Sequence, residues 1–176
     1  MSLKDKTIVV TGGSRGLGLG LVEALVEQGA KVTVVARDQA ALAAVKQRLG
    51  VAVISADVSE EGAAQRILAD VRPEILVLNA GATPHIKHKG LGIRFQSILP
   101  MQIIGGTGVG DEAAGAYARS MGLEREAYLA RFGAPLPPRQ FGDYVVVVLD
   151  DPQYATSVAF GLKGDTGITV LEGEAA

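Results

Sequence analysis

The sequence predicts an α/β fold, a doubly wound parallel sheet with helices on both faces, in a single domain over residues 1–176. Three observations lead there. Short β-branched runs alternate with helix-patterned runs between Thr7 and Leu78, which is the rhythm of βαβ units. Runs such as Lys31–Ala36 (KVTVVA) are apolar without alternation, as strands covered on both faces are. A chain of 176 residues with 48% hydrophobic content also fills one core of ordinary size.

The first strand is 7–10 (TIVV), stopped by a glycine-rich turn. Residues 19–28 follow with helical apolar spacing, and Gly29 ends that helix. The second strand and helix are Lys31–Ala36 and Gln39–Leu49, the third strand 51–55, the third helix 60–71. Pro73 marks the entry to a fourth strand, 74–78, which ends at Asn79-Ala80-Gly81. Right-handed crossovers between these strands give a parallel sheet.

After Gly81 the rhythm breaks. Residues 82–90 (ATPHIKHKG) are short and polar before the next strand-like run, 93–99. A parallel crossover normally takes a dozen or more residues and usually a helix. The segment after Gly81, extended, reaches at most ~33 Å over about ten residues, enough to return along a strand but not to cover a sheet. The glycines at 105, 106, 108 and 110 read as a hinge, with a second phosphate cradle as the less simple account. Residues 111–132 read as helix, with Tyr117, Tyr128 and Phe132 packing at helical spacing, and 134–138 (APLPP) ends it. Residues 141–149 hold four consecutive valines, which favour a strand. The run from Tyr154 to Leu162 nevertheless looks like helical continuation, and the segment is read as helix. A last strand at the sheet edge is expected over 167–171.

Charge excludes some functions. Seventeen Lys and Arg against nineteen Asp and Glu leave a net charge of −2, with the basic residues scattered, so no nucleic acid or anionic membrane is called for. The absence of cysteine rules out disulfides, thiolate metal sites and cysteine nucleophiles and fits a reducing compartment. Residues 1–6 are polar and run straight into a strand, and no apolar run approaches membrane-spanning length, so a cytoplasmic protein is expected.

Thr11-Gly12-Gly13-Ser14-Arg15-Gly16-Leu17-Gly18 lies between the first strand and the first helix, where a helix N-terminus can receive a pyrophosphate. Gly12 and Gly16 let the backbone turn and approach a ligand, and Gly18 lets the helix pack close to the strand. This loop is similar to the TGxxxGxG loop of the short-chain dehydrogenase/reductase (SDR) family. Asp57-Val58 and Asn79-Ala80-Gly81 resemble that family's next two motifs in the right order. The resemblance is close over residues 1–84 and resumes at the strand from Ile93 and at 167–173.

The resemblance implies a Rossmann-like NAD(P)-binding domain. Residues 1–84 form its cofactor-binding half, 85–90 a junction, and 91–176 a C-terminal part with a substrate-loop-like region and the last strand. The usual fifth strand and its flanking helices are lacking. The cofactor-binding residues it implies are Gly12, Ser14, Arg15, Gly16, Leu17, Gly18, Arg37, Asp57, Val58, Asn79, Ala80 and Gly81, with Asp57 facing the adenine and the Asn-Ala-Gly segment supporting the sheet and the ribose. The second strand ends in Ala36-Arg37, not in an acid, and a basic residue there pairs with a ribose 2′-phosphate. Arg15 is a second guanidinium aimed at the same place. NADP(H) is therefore expected before NAD(H).

In this family a hydride moves between the nicotinamide and a carbonyl or alcohol, with a tyrosine of a Tyr-x-x-x-Lys helix as acid or base beside a serine and an asparagine. Here Tyr117 is followed four residues on by Met121, Tyr128 by Phe132, Tyr144 by Val148 and Tyr154 by Val158. The single asparagine, Asn79, belongs to the third motif. Catalytic residues are thus unassigned, and the segment that carries them in the family, with its dimerisation helices, would fall between Pro84 and Gly90; a homo-oligomer stays open. His85 and His88 read as a solvated loop, not a metal pair. Met101, Ile103, Ile104 and Met121 read as core or as the lining of a non-polar site. Two functions follow: an NADP(H)-dependent oxidoreductase on a small carbonyl or alcohol, inactive in this form, or a non-catalytic NADP(H)-binding protein or truncated remnant.

Overall fold

Ile8, Val9 and Val10 are buried to within 1% exposure, and that burial on both faces places β1 (Thr7–Thr11) inside a parallel sheet. The computed structural model describes residues 2–79 and 96–171. They fall into two compact units, Met1–Thr83 and Pro84–Ala176. Each unit has its own sheet.

In the first unit α1 (Gly16–Glu27) connects β1 to β2 (Lys31–Ala36), α2 (Gln39–Leu49) leads to β3 (Ala52–Ser55), and α3 (Ala63–Val71) to β4 (Ile75–Leu78). The strand order is β3-β2-β1-β4 with every neighbour parallel. Thr11 lies opposite both Val35 and Leu78, so the carboxyl ends of β1, β2 and β4 finish at one edge of the sheet and the loops that follow gather there. Leu21, Val22 and Leu25 of α1 are buried, each worth about 1.5–3 kcal/mol for full removal from water. Ile67 of α3 packs on Val9 and Val35. The Asp38 side chain accepts the Ala41 amide at 3.0 Å and so caps α2, which Gly50 ends with φ +68°.

The second unit holds β5 (Ser97–Pro100), α4 (Gly108–Ser120), α5 (Arg125–Ala130), α6 (Pro138–Asp150), β6 (Ala159–Lys163) and β7 (Gly167–Val170). Its sheet runs β5-β6-β7, parallel between the first pair and antiparallel between the second. The strand expected over 93–99 is described from Ser97, with 93–95 outside the described residues, and it pairs with β6. The helix expected over 111–132 divides into α4 and α5, because Gly122 turns left-handed at φ +65°. Thr107 caps α4 through the Gly110 amide at 3.0 Å, and a Cβ on Gly110 would sit 1.9 Å from the Ile104 carbonyl oxygen.

The valine run is helical, as read, because Phe141, Val145 and Val148 at i, i+4 and i+7 all face the core while Val147 is 39% exposed. Burial on one stripe outweighs the strand preference of valine. The helical continuation expected over 154–162 is corrected. α6 stops at Asp150, the Asp151 carboxylate accepts the Gln153 amide at 2.9 Å ahead of a short 3₁₀ turn at Pro152–Tyr154, and residues 159–163 become the central strand β6 with Phe160 and Leu162 fully buried. Gln102, 9% exposed, joins the Ala134 carbonyl and the Gly164 amide through its two ends.

Candidate functional site

The site is built on the turn from β1 to α1. Gly12 and Gly16 take φ of +69° and +56°, a region open to glycine at little cost. The Gly12 amide is tied to the Val35 carbonyl of β2 at 2.7 Å. Gly18 is buried against the turn: a Cβ there would lie 2.3 Å from the Gly12 carbonyl oxygen and 2.6 Å from Asn79 Nδ2. That contact brings α1 onto the end of β1. Asn79 holds the same place from β4, its Nδ2 donating to the Gly12 carbonyl at 3.3 Å and its amide to Thr11 Oγ1 at 3.1 Å. Thr11 Oγ1 donates in turn to the Val77 carbonyl at 3.3 Å.

Arg15 is the N-cap residue of α1, with extended backbone and no side-chain hydrogen bond to the first turn. The amides of that turn are therefore without a side-chain cap, and the positive end of the helix dipole meets the loop. Ser14 and Leu17 are half-buried beside it. Four charges stand at the ends of β1, β2 and β3. Arg15 pairs with Asp38 at 2.5 Å, and Arg37, 80% exposed, with Asp57 at 3.6 Å. The Ser59 hydroxyl and amide both donate to Asp57 Oδ1, at 2.7 and 3.0 Å, and with Arg37 they hold that carboxyl below the usual range. The Ala41 amide first, then Arg15, does the same for Asp38. Val58 packs on the Val9, Val35 and Ile67 cluster and anchors the strand end that carries Asp57.

The structure brings Gly12, Gly18 and Asn79 together, and it gives Arg15 and Arg37 a carboxylate each. Ala80 and Gly81, with His85 and His88, lie outside the described residues. Thr11 and Gly13 stand in the loop motif without a role of their own in the sequence reading, although Thr11 bridges β1 to β4 and a Cβ on Gly13 would stand 3.0 Å from both Val22 and Val34, and Asp38 escaped it. An aspartate one residue before a predicted helix is an N-cap signal, so Asp38 was within reach.

Away from this loop, a hollow of about 250 Å³ lies between β3 and α3, lined by Ile54, Ala56, Glu60, Ala63 and Arg66 among others. Tyr117 stacks on Tyr128 and Tyr128 meets Phe132 edge-on, with centroids 5.9 and 5.4 Å apart, around buried Ala114 and Ala118. Ile103 joins that cluster and Ile104 is buried, while Met101 and Met121 are half exposed. Among the described residues no group of three or more His, Cys, Asp or Glu could hold a metal ion.

Comparison with known proteins places this loop in a family. Residues 6–95 match the short chain dehydrogenase model. L-fucose dehydrogenase of Rattus norvegicus is 40% identical over 85 residues, 45% of this chain and 32% of that protein. The rhamnolipids biosynthesis 3-oxoacyl-[acyl-carrier-protein] reductase of Pseudomonas aeruginosa is 40% identical over 91 residues, 47% of this chain and 36% of that one. The chain thus spans about a third of the length of the curated relatives it matches. Among solved structures, L-sorbose reductase from Gluconobacter frateurii, complexed with NADPH and L-sorbose, superposes with a TM-score of 0.68 at 19% identity over 93% of this chain and 98% of its own. The F189W actinorhodin polyketide ketoreductase with NADPH gives 0.74 at 16% identity over 91% and 96%. Both share the fold, a parallel α/β sheet of Rossmann type. With more than half of its residues matched by the family model, the chain belongs to the short chain dehydrogenase family.

Proposed function

We propose that the β1–α1 loop binds NADP(H), and that the protein is an oxidoreductase of the short-chain type acting on a small carbonyl or alcohol. One observation carries the reading: a turn in which Gly12 and Gly16 take positive φ and Gly18 has no room for a Cβ lies against an uncapped helix N-terminus, with Arg15 and Arg37 flanking it. Backbone amides at a helix start suit a pyrophosphate, and guanidinium forks suit a 2′-phosphate better than a 2′-hydroxyl. NADP(H) is accordingly favoured over NAD(H), and the NADPH present in two structural neighbours supports the same choice.

When bound, the cofactor supplies or accepts a hydride. The chain's own residues do the rest. Gly12, Ser14, Gly16, Leu17 and Gly18 seat the diphosphate, Arg15 and Arg37 hold the 2′-phosphate, Asp57 and Val58 border the adenine, and Asn79 steadies the loop; Ala80 and Gly81 are assigned to the cofactor on the family motif alone. Residues 1–84 serve as the cofactor-binding half, 85–90 as a junction, and 91–176 as the substrate-loop-like part, in a cytoplasmic protein open to homo-oligomerisation.

A second reading has its own support. None of the four tyrosines has a lysine four residues on, so the tyrosine–lysine pair that serves as the acid in this family is absent from the sequence. On that ground the chain in this form is an NADP(H)-binding protein without turnover. Titration of NADPH and NADH against the wild type and Arg37→Glu tests the cofactor: NADPH binding is lost and NADH binding kept or improved in the variant, and an unchanged pair of affinities overturns the Arg37 assignment. NADPH oxidation with small carbonyls tests the chemistry. Turnover by this chain overturns the non-catalytic reading, and binding without turnover upholds it.

A further inference from the structure

The geometry points to Asp38 as the residue that sets how strongly this site prefers a 2′-phosphate: its carboxylate is a resident anion that holds Arg15 and competes with that phosphate for it. The inference rests on the cofactor reading above and adds a specificity determinant to it.

The two carboxylate oxygens of Asp38 do different work. Oδ1 accepts the Ala41 amide at 3.0 Å and caps α2, while Oδ2 takes the Arg15 guanidinium at 2.5 Å. An ion pair between two free surface side chains opens at little cost. Here one partner is pinned, because a carboxylate at an N-cap satisfies an orphan amide and meets the positive end of the helix. Arg15, with its side chain 72% exposed, is free to turn towards an arriving ligand. Asp38 cannot follow or retreat without uncapping α2.

Arg37, the next residue in the chain, is paired with Asp57, whose Oδ1 is itself held by Ser59. Two arginines and two aspartates therefore cancel before any ligand arrives. A phosphate dianion that takes Arg15 enters with the charge of Asp38 still in place. Like charges a few ångströms apart in water weaken such binding by roughly fivefold. NAD(H) brings a hydroxyl to the same place, and a hydroxyl donates to a carboxylate instead of opposing it. Asp38 thus narrows the margin between the two cofactors.

The test is Asp38→Asn in the 176-residue chain, since asparagine caps a helix as well as aspartate and removes only the charge. Dissociation constants for NADPH and NADH are read by fluorescence titration at low and at about 0.5 M salt. NADPH is expected to bind roughly fivefold tighter to the variant and NADH within about twofold of the wild type, with the gain fading at high salt because the groups are exposed. In an Arg15→Gln background the gain is expected to vanish. Asp38→Ser, also a capping residue, gives the same result where the asparagine variant fails to fold. NADPH binding that is unchanged or weaker in Asp38→Asn, an equal gain for both cofactors, or an equal gain without Arg15 overturns the role of Asp38 and leaves the cofactor reading standing. A wild type that binds neither cofactor overturns both.

Discussion

A single methyl group at Gly18 would do more harm than at most positions in the chain. It would stand 2.3 Å from the Gly12 carbonyl oxygen, a backbone atom that cannot swing aside, and 2.6 Å from the Asn79 amide nitrogen. Gly18→Ala is therefore expected to push α1 off the end of β1, lower the melting temperature and abolish NADPH binding. A variant that melts and binds as the wild type does would show that the turn relaxes more easily than its contacts require. The acidic residues make a second prediction at this scale. Asp38, Asp57 and Glu74 all titrate below their ordinary values, through the Ala41 amide, the Ser59 hydroxyl and the Lys6 ammonium respectively. A carboxylate whose folded pKa is lowered contributes stability above its unfolded value, and that contribution is lost as the pH falls through the folded one. Thermal stability of the free protein should then hold from pH 7 to about 5 and decline below about 4. The decline should be shallower in Asp57→Asn, and equal slopes would assign the acid sensitivity to other groups.

Among the elements, those of the first unit were almost wholly legible in the sequence. β2 and α2 fall where the apolar runs place them, at Lys31–Ala36 and Gln39–Leu49, because β2 is a short β-branched run and α2 is capped by Asp38 and closed by Gly50. The second unit was harder for an equally physical reason. Residues 145–148 are all valine, so period 2 and period 3.6 describe them equally well, and only the tertiary burial of Val145 and Val148 with Phe141 decides. Residues 159–163 carry a strand signal, since Phe160 and Leu162 stand two apart on one strand face, and reading the run from Tyr154 as one helix hides it. The stripe on α6 has a measurable consequence. Phe141→Ala should cost about 3–5 kcal/mol in urea unfolding of the whole chain, whereas Val147→Ala on the exposed side should stay within about 0.5 kcal/mol. Comparable costs at the two positions would mean that α6 does not bury the face described.

For the molecule as a whole, the candidate site was legible where it depends on backbone freedom and illegible where it depends on partners. Gly12, Gly16 and Gly18 are readable because only glycine suits their conformations and contacts. That Arg15 and Arg37 each carry a counter-ion is a fact of three strand ends meeting, and no spacing rule along one chain records it. The net charge of −2 likewise gives no sign of a local row in which opposite charges cancel. The bond from Asn79 to the Gly12 carbonyl has a consequence in time. The loop keeps its shape through contacts with β2, β4 and α1, so a dinucleotide meets a finished seat and spends no affinity on ordering it. Turning Arg15 from one anion to another is a side-chain motion of nanoseconds, far faster than capture. Stopped-flow traces with NADPH should therefore be single exponentials whose rate rises linearly with concentration, and a rate that levels off would reveal a slow rearrangement of the loop before or after the ligand lands.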